Sequence, residues 1–290
     1  MASIRCFLAV QLALCWPLVT YAAAPTVLEL PAAGKWNIDY RDGYCALLRQ
    51  FGVGDDQITA QFTRLAPGDY FNFRLYGKMF RVEGPYQDVW LAFGDHPAPE
   101  PLKNRLSGKS GTLEFVDLGG LSLVGGPARF DQPNNPLTPE QEGAVTQLTI
   151  GPHRGKIYRI QLGSMRAPMA AMRTCTDDLV RSWGYDPEVI ASLSRPATPV
   201  GSPGAWATSS DYPSELLRSG KLAAVEFRLD VDEVGATTKC TILRNAGETA
   251  FATMTCELLT RRAHFMPALD RDGRPTKSFF VNRVSWIIPR

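Results

Sequence analysis

The sequence predicts an α+β protein of two units: a mostly antiparallel β unit with one long helix over residues 25–193, and a smaller helix-strand-strand-helix-strand unit over 212–290. Three observations predict it. Short period-two segments fill most of the chain to Leu162; a run at helical spacing follows them; and a stretch without any period, Ser194 to Asp211, precedes a second ordered series of elements. With 290 residues, 44% of them hydrophobic and 21% charged, the chain is long enough for two modest domains and has no disordered or fibrous bias. Its 31 basic and 29 acidic residues leave a net charge of +2, which gives no electrostatic basis for binding nucleic acid.

The first 22 residues read as a secretory signal peptide. Arg5 precedes an apolar stretch from Cys6 to Val19 that ends in small residues, and Thr20 and Ala22 occupy the two small-residue positions for cleavage after Ala22. Gln11 and Pro17 interrupt the stretch, which is shorter than the roughly 20 apolar residues of a spanning helix. An exported mature chain without a membrane span is therefore expected.

In the larger unit, Trp36, Ile38 and Tyr40 alternate with polar residues, and Arg41 to Tyr44 make a hairpin connection into Cys45 to Phe51. Further alternation marks Gln57 to Leu65, Tyr70 to Tyr76, Asp88 to Phe93, Gly111 to Leu118 and Lys156 to Leu162, an antiparallel set expected to close into a sandwich or open barrel. His96 to Lys109 and Gly125 to Glu142, rich in Pro, Gly and Asn, read as loops. Met165, Met169, Met172, Thr176, Leu179 and Trp183 then fall at helical spacing, with Ser164 as N-cap and Gly184 as stop; packing on the sheet is the expected role of this stripe. Ser194 to Asp211, dense in Pro, Ser, Gly and Ala, reads as a linker.

Beyond it, Tyr212 and Pro213 open a short helix ending at Gly220. In the next strand Val225, Phe227, Leu229 and Val231 face one way and Glu226, Arg228 and Asp230 the other, a buried face against a wet one. A turn over Asp232 to Gly235 leads into Ala236 to Leu243, and Gly247 to Ala263 is helical, with Phe251, Met254, Leu258 and Leu259 on its apolar side and Arg261 and Arg262 in its last turn. A loop through Pro267 and Gly273 precedes a last strand from Ser278 to Ile288.

Of the six cysteines, Cys6 and Cys15 fall in the leader, and Cys45, Cys175, Cys240 and Cys256 remain. Four cysteines allow three connectivities. Export favours disulfides, and pairing Cys240 with Cys256 and Cys45 with Cys175 keeps each bridge within one unit. No two cysteines stand two apart and no histidine lies at ligand spacing from them, so neither a metal nor a cofactor is expected. Enzyme signatures are missing as well. Lys103 stands where a P-loop ending in Lys109-Ser110 needs glycine, and there is no Gly-x-Ser-x-Gly or His-Glu-x-x-His.

Tyr212-Pro213, the short helix and Gly220, Asp230-Val231-Asp232 with Gly235, the helix ending in Arg262, Phe265-x-Pro267-Ala268 and Asp272-Gly273-Arg274-Pro275 together resemble the TonB C-terminal domain family. The resemblance covers Tyr212 to Arg290. It implies a protein of the periplasm in a Gram-negative envelope, whose final domain adds a strand from a short segment of an outer-membrane transporter or another envelope protein. Such β-augmentation takes affinity from edge backbone groups and selectivity from flanking side chains. The last strand is the candidate edge, with Phe279, Val281, Arg283, Ser285 and Ile287 as partner-binding residues, and the same edge leaves open a homodimer. Energy-transducing members of the family resemble one another in a histidine-bearing membrane helix and a long proline-rich spacer. Here the histidines are His96, His153 and His264 and the spacer is short, so binding without energy transduction is expected. The alternative is that the C-terminal domain is a structural or oligomerising module and the larger unit is a ligand-binding or enzymatic one.

Overall fold

A computed structural model describes residues 26–80, 89–97, 102, 106–124, 137–152 and 156–288; the expected signal peptide, 1–22, lies outside the described residues. The larger unit runs in chain order through β1 (Val27–Leu30), β2 (Asn37–Arg41), β3 (Tyr44–Phe51), β4 (Ile58–Arg64), β5 (Phe71–Tyr76), β6 (Val89–Phe93), β7 (His96–Pro97), β8 (Leu106–Ser110) and β9 (Leu113–Leu121). Then come α1 (Pro139–Ala144), β10 (Leu148–Pro152), β11 (Ile157–Ile160), α2 (Arg166–Ser182) and α3 (Pro187–Ala191). Six strands pair in the order β2-β3-β4-β5-β9-β8 and five in the order β1-β11-β10-β6-β7.

Alternation builds the core between these sheets. On β5, Phe71, Phe73 and Leu75 are buried and the residues between them half-buried. Phe62 on β4 lies opposite Phe73, with ring centroids 4.7 Å apart, and Phe93 of the second sheet meets Phe71 at 5.9 Å. Burying each such ring stabilises by roughly 1.5–3 kcal/mol. Met165, Met169, Met172, Thr176 and Leu179 are buried against the same core, which is the packing role expected of the stripe. The helix has Met165 rather than Ser164 at its N-cap, without a side-chain hydrogen bond, and Gly184 follows it at φ +88°. The Cys45–Cys175 disulfide ties β3 to α2.

Several elements differ from the sequence reading: β1, β7 and α3 are additional to it, and three more are explained by their residues. β8 begins inside the stretch read as loop from His96 to Lys109: it has no apolar alternation and is held by backbone pairing to β9 at a sheet edge. α1 begins inside Gly125 to Glu142, where Thr138 and Gln141 make a capping box readable in the sequence. β10 is hidden in the sequence, where Gly151 and Pro152 mask a strand that lies centrally between β11 and β6.

The smaller unit contains α4 (Ser214–Arg218), β13 (Ala223–Val231), β14 (Thr237–Ala246), α5 (Thr249–Arg262) and β18 (Ser278–Trp286), with three two-residue strands, β15 (Phe265–Met266), β16 (Ala268–Leu269) and β17 (Pro275–Thr276), before the last. Its sheet has the order β14-β13-β18, all antiparallel, and the Cys240–Cys256 disulfide joins β14 to α5. The α+β class therefore holds.

Residues 194–211, read as a linker, are laid onto this unit. Thr198 and Pro199 (β12) pair with β15, Ser194 and Arg195 bond to Leu269, and Trp206 is buried against Phe265 and Phe280. The apolar surface of Trp206 explains the ordering of a stretch whose composition favours coil. Arg262 Nη1 and Nη2 donate to the two Asp211 oxygens at 2.7 and 2.8 Å.

Those bonds, with a further one from the Thr208 amide, hold the Asp211 carboxyl well below the usual carboxylate range. A folded-state value depressed in this way contributes stability that is present above the unfolded value, about pH 4, and is lost as pH falls below it. Asp211→Asn is expected to lower the urea midpoint at pH 7 and to shrink the drop between pH 7 and pH 3.

Candidate functional site

β18 pairs with β13 along Ala223–Val231 and, among the described residues, with no strand on its other side. The Arg283 amide donates to Asn282 Oδ1 at 2.8 Å. In an antiparallel ladder the amides alternate in direction, so the amides of the odd-numbered residues 279–285 face away from β13. The strand thus offers an unpaired edge.

Its side chains are placed less simply. Phe279, Val281, Arg283 and Ser285 lie opposite Asp230, Arg228, Glu226 and Ala224. They therefore share the face that alternation on β13 marks as wet. That face is covered: Glu226 is 1% exposed and Arg228 5%. What covers it is the outer face of the six-stranded sheet together with the end of α2, a correction to the expected wet face. Polarity of alternate residues separates two faces but does not say that the polar one meets water.

Every charge brought under cover has a partner. Glu226 accepts from Arg244 Nε and Nη2 at 2.6 and 2.7 Å and from Asn72 Nδ2 at 3.2 Å. Arg228 lies 2.8 Å from Asp230, with its guanidinium carbon 4.6 Å from the Trp183 ring centroid. The Tyr185 hydroxyl is 3.2 Å from Asp230 Oδ1 and 3.0 Å from the Ser278 carbonyl oxygen. Burial, and then the Asp230 carboxylate, push the Tyr185 phenol upward, so it stays a neutral donor. Asp117 accepts from Arg74 Nη2 at 2.6 Å and lies 3.9 Å from Arg283. The Gly43 turn meets the β14 backbone so closely that a Cβ there would stand 2.5 Å from the Leu243 carbonyl oxygen.

The five expected binding residues divide accordingly. The Phe279 ring is 5.2 Å from both Trp183 and Tyr185, and Arg283 is turned toward Asp117. Val281 is half-buried on the same face, Ser285 is exposed, and Ile287, past the end of the strand, is 68% exposed. Sequence reasoning missed Trp183 and Tyr185 as neighbours of the candidate edge; the aromatic pair straddling Gly184 was the available signal.

Removing Glu226 would leave Arg244 charged, three-quarters buried and unpaired. Glu226→Ala is expected to destabilise by about 3 kcal/mol, and the double change Glu226→Leu with Arg244→Leu by much less, as judged by urea denaturation.

Elsewhere, the Cys240–Cys256 disulfide lines a groove between β14 and α5 with Lys239, Glu257 and Arg261. Among the described residues no group of His, Cys, Asp and Glu could hold a metal ion, and no helix is long and apolar enough to cross a membrane. Searches of the curated proteins and of the solved structures return no match to the chain. The family comparison does find one: residues 208–288, a segment of the 290-residue chain, match the family described as Gram-negative bacterial TonB protein C-terminal.

Proposed function

We propose that the protein is an exported, non-enzymatic component of the Gram-negative periplasm, whose C-terminal domain binds an extended segment of an outer-membrane transporter or other envelope protein by strand addition at β18, without transducing energy itself. The observation that carries this reading is the unpaired outer edge of the last strand in the segment that matches the TonB family. Edge amides and carbonyls would supply the backbone bonds, and an added strand would extend the order to β14-β13-β18-ligand.

Calorimetric titration of the full chain with periplasmic segments of outer-membrane transporters is expected to give micromolar binding. Val281→Pro removes an amide that faces the ligand but leaves the ladder to β13 intact, and should abolish the heat. Absence of binding to a representative set at high micromolar concentration would sink this ligand class; a homodimer whose dissociation accompanies Val281→Pro would redirect the edge to a second copy of the chain.

A further inference from the structure

The contacts between the two facing sheets advance in the same direction, β4 alone being passed over. On the C-terminal sheet they pass from Arg244 on β14 through Glu226 on β13 to Arg283 on β18; on the other sheet they pass from Tyr44 on β3 through Asn72 on β5 to Asp117 on β9. The next place in the C-terminal sheet is the open edge of β18. The next strand of the six-stranded sheet is β8, its edge. A strand added to β18 therefore lies over β8 and β9, at the separation of about 10 Å at which the side chains of facing sheets meet.

The surface waiting there carries two apolar side chains, Phe115 and Leu113, with Ser110 opposite Leu113. Phe115 shares the face of Asp117 by the period of two, and is held by the Arg74 guanidinium, whose carbon is 4.6 Å from the ring centroid, and by Tyr76 at 5.9 Å. Gly108 on β8 lies opposite Phe115, where a Cβ would come within 3.2 Å of the ring. The half-buried ring thus lies over the glycine, where a side chain would displace it. Leu113, two residues from Phe115 on the same face, is 55% exposed. The polar contacts between the sheets thus end at Arg283 and Asp117, and an apolar shelf continues from them under the empty strand position.

We propose that this shelf is the floor of the peptide site, so that the larger unit selects the ligand. The segment taken up is extended, with apolar side chains at alternate positions turned toward Leu113 and Phe115. The inference rests on the strand-addition reading and adds to it a specificity surface outside the family-matching segment.

The test uses the full chain and two octapeptides of alternating valine and serine, carrying a benzophenone side chain at one central position or at the next. Photolysis and peptide mapping are expected to place cross-links from one peptide, and not the other, within residues 106–117, and both peptides should protect the amides of β18 from exchange. Leu113→Glu, at an exposed position, should weaken binding of the unlabelled peptide about tenfold by setting a carboxylate against an apolar side chain. Protection of β18 with no cross-link to 106–117, or with unchanged affinity in Leu113→Glu, overturns the shelf and leaves strand addition standing. No protection of β18 overturns both.

Discussion

Gly235→Ala is expected to destabilise the C-terminal domain by roughly 4 kcal/mol, toward the top of the range for a single substitution. Gly235 ends the turn between β13 and β14 with φ at +85°, where an L side chain adds roughly 1–2 kcal/mol of strain. The larger effect is contact. A Cβ at this position would stand 1.9 Å from the Phe265 carbonyl oxygen and 2.9 Å from its carbon, both backbone atoms that cannot rotate aside. The Phe265 amide donates to the Gly235 oxygen at 3.0 Å, and Ala236 bridges to His264, so the turn and the chain leaving α5 are locked together. Opening that lock would also loosen Phe265 from Trp206 and Phe280. Val234→Ala, one residue away and 80% exposed, should change stability by less than about 0.5 kcal/mol. Thermal and urea unfolding of the two variants separates them directly; near-equal midpoints would refute the close-approach account.

The elements legible in the sequence are those whose own residues carry the period. Phe71, Phe73 and Leu75 announce β5 because each buries against the core while its neighbours do not, and the methionines announce α2 for the same reason at a different spacing. β8 was illegible because Leu-Ser-Gly-Lys-Ser contributes backbone rather than side chains to its sheet. The candidate edge was legible in one respect only. The order of motifs placed a last strand and its family resemblance gave that strand a role, but nothing local to Phe279 or Arg283 names Trp183, Tyr185 or Asp117 as neighbours. Those partners lie far away in sequence, and a polar face buried against another polar face has the same alternation as one that meets water. Trp206 gave a fainter signal. A lone large aromatic in a Pro/Ser/Gly stretch is costly to leave in solvent, and it is this residue that seats the segment read as a linker.

Removing the Cys45–Cys175 bridge should have the largest effect of any change considered, and a larger one than removing Cys240–Cys256. The bonds close loops of very different span, with sequence separations of 130 and 16. In the chain-entropy model these correspond to about 5 and about 3 kcal/mol of constraint on the unfolded chain. Burial works in the same direction: Cys45 and Cys175 are 0% exposed in the core beneath α2, so the Cys45→Ala, Cys175→Ala double variant also leaves unfilled volume beside Met172 and Leu47, whereas Cys240 and Cys256 border an open groove and are only half-buried. At about 2–4 °C per kcal/mol for a chain of this size, the first double variant should melt about 10–20 °C lower and the Cys240→Ala, Cys256→Ala variant about 6–12 °C lower. Access predicts the opposite order for chemistry: a mild thiol reductant should open Cys240–Cys256 first, because attack needs a sulfur that a thiolate can reach. Timed alkylation and mass mapping would check this, and early labelling of Cys45 or Cys175 would mean that α2 lifts from the sheet before the groove disulfide is attacked.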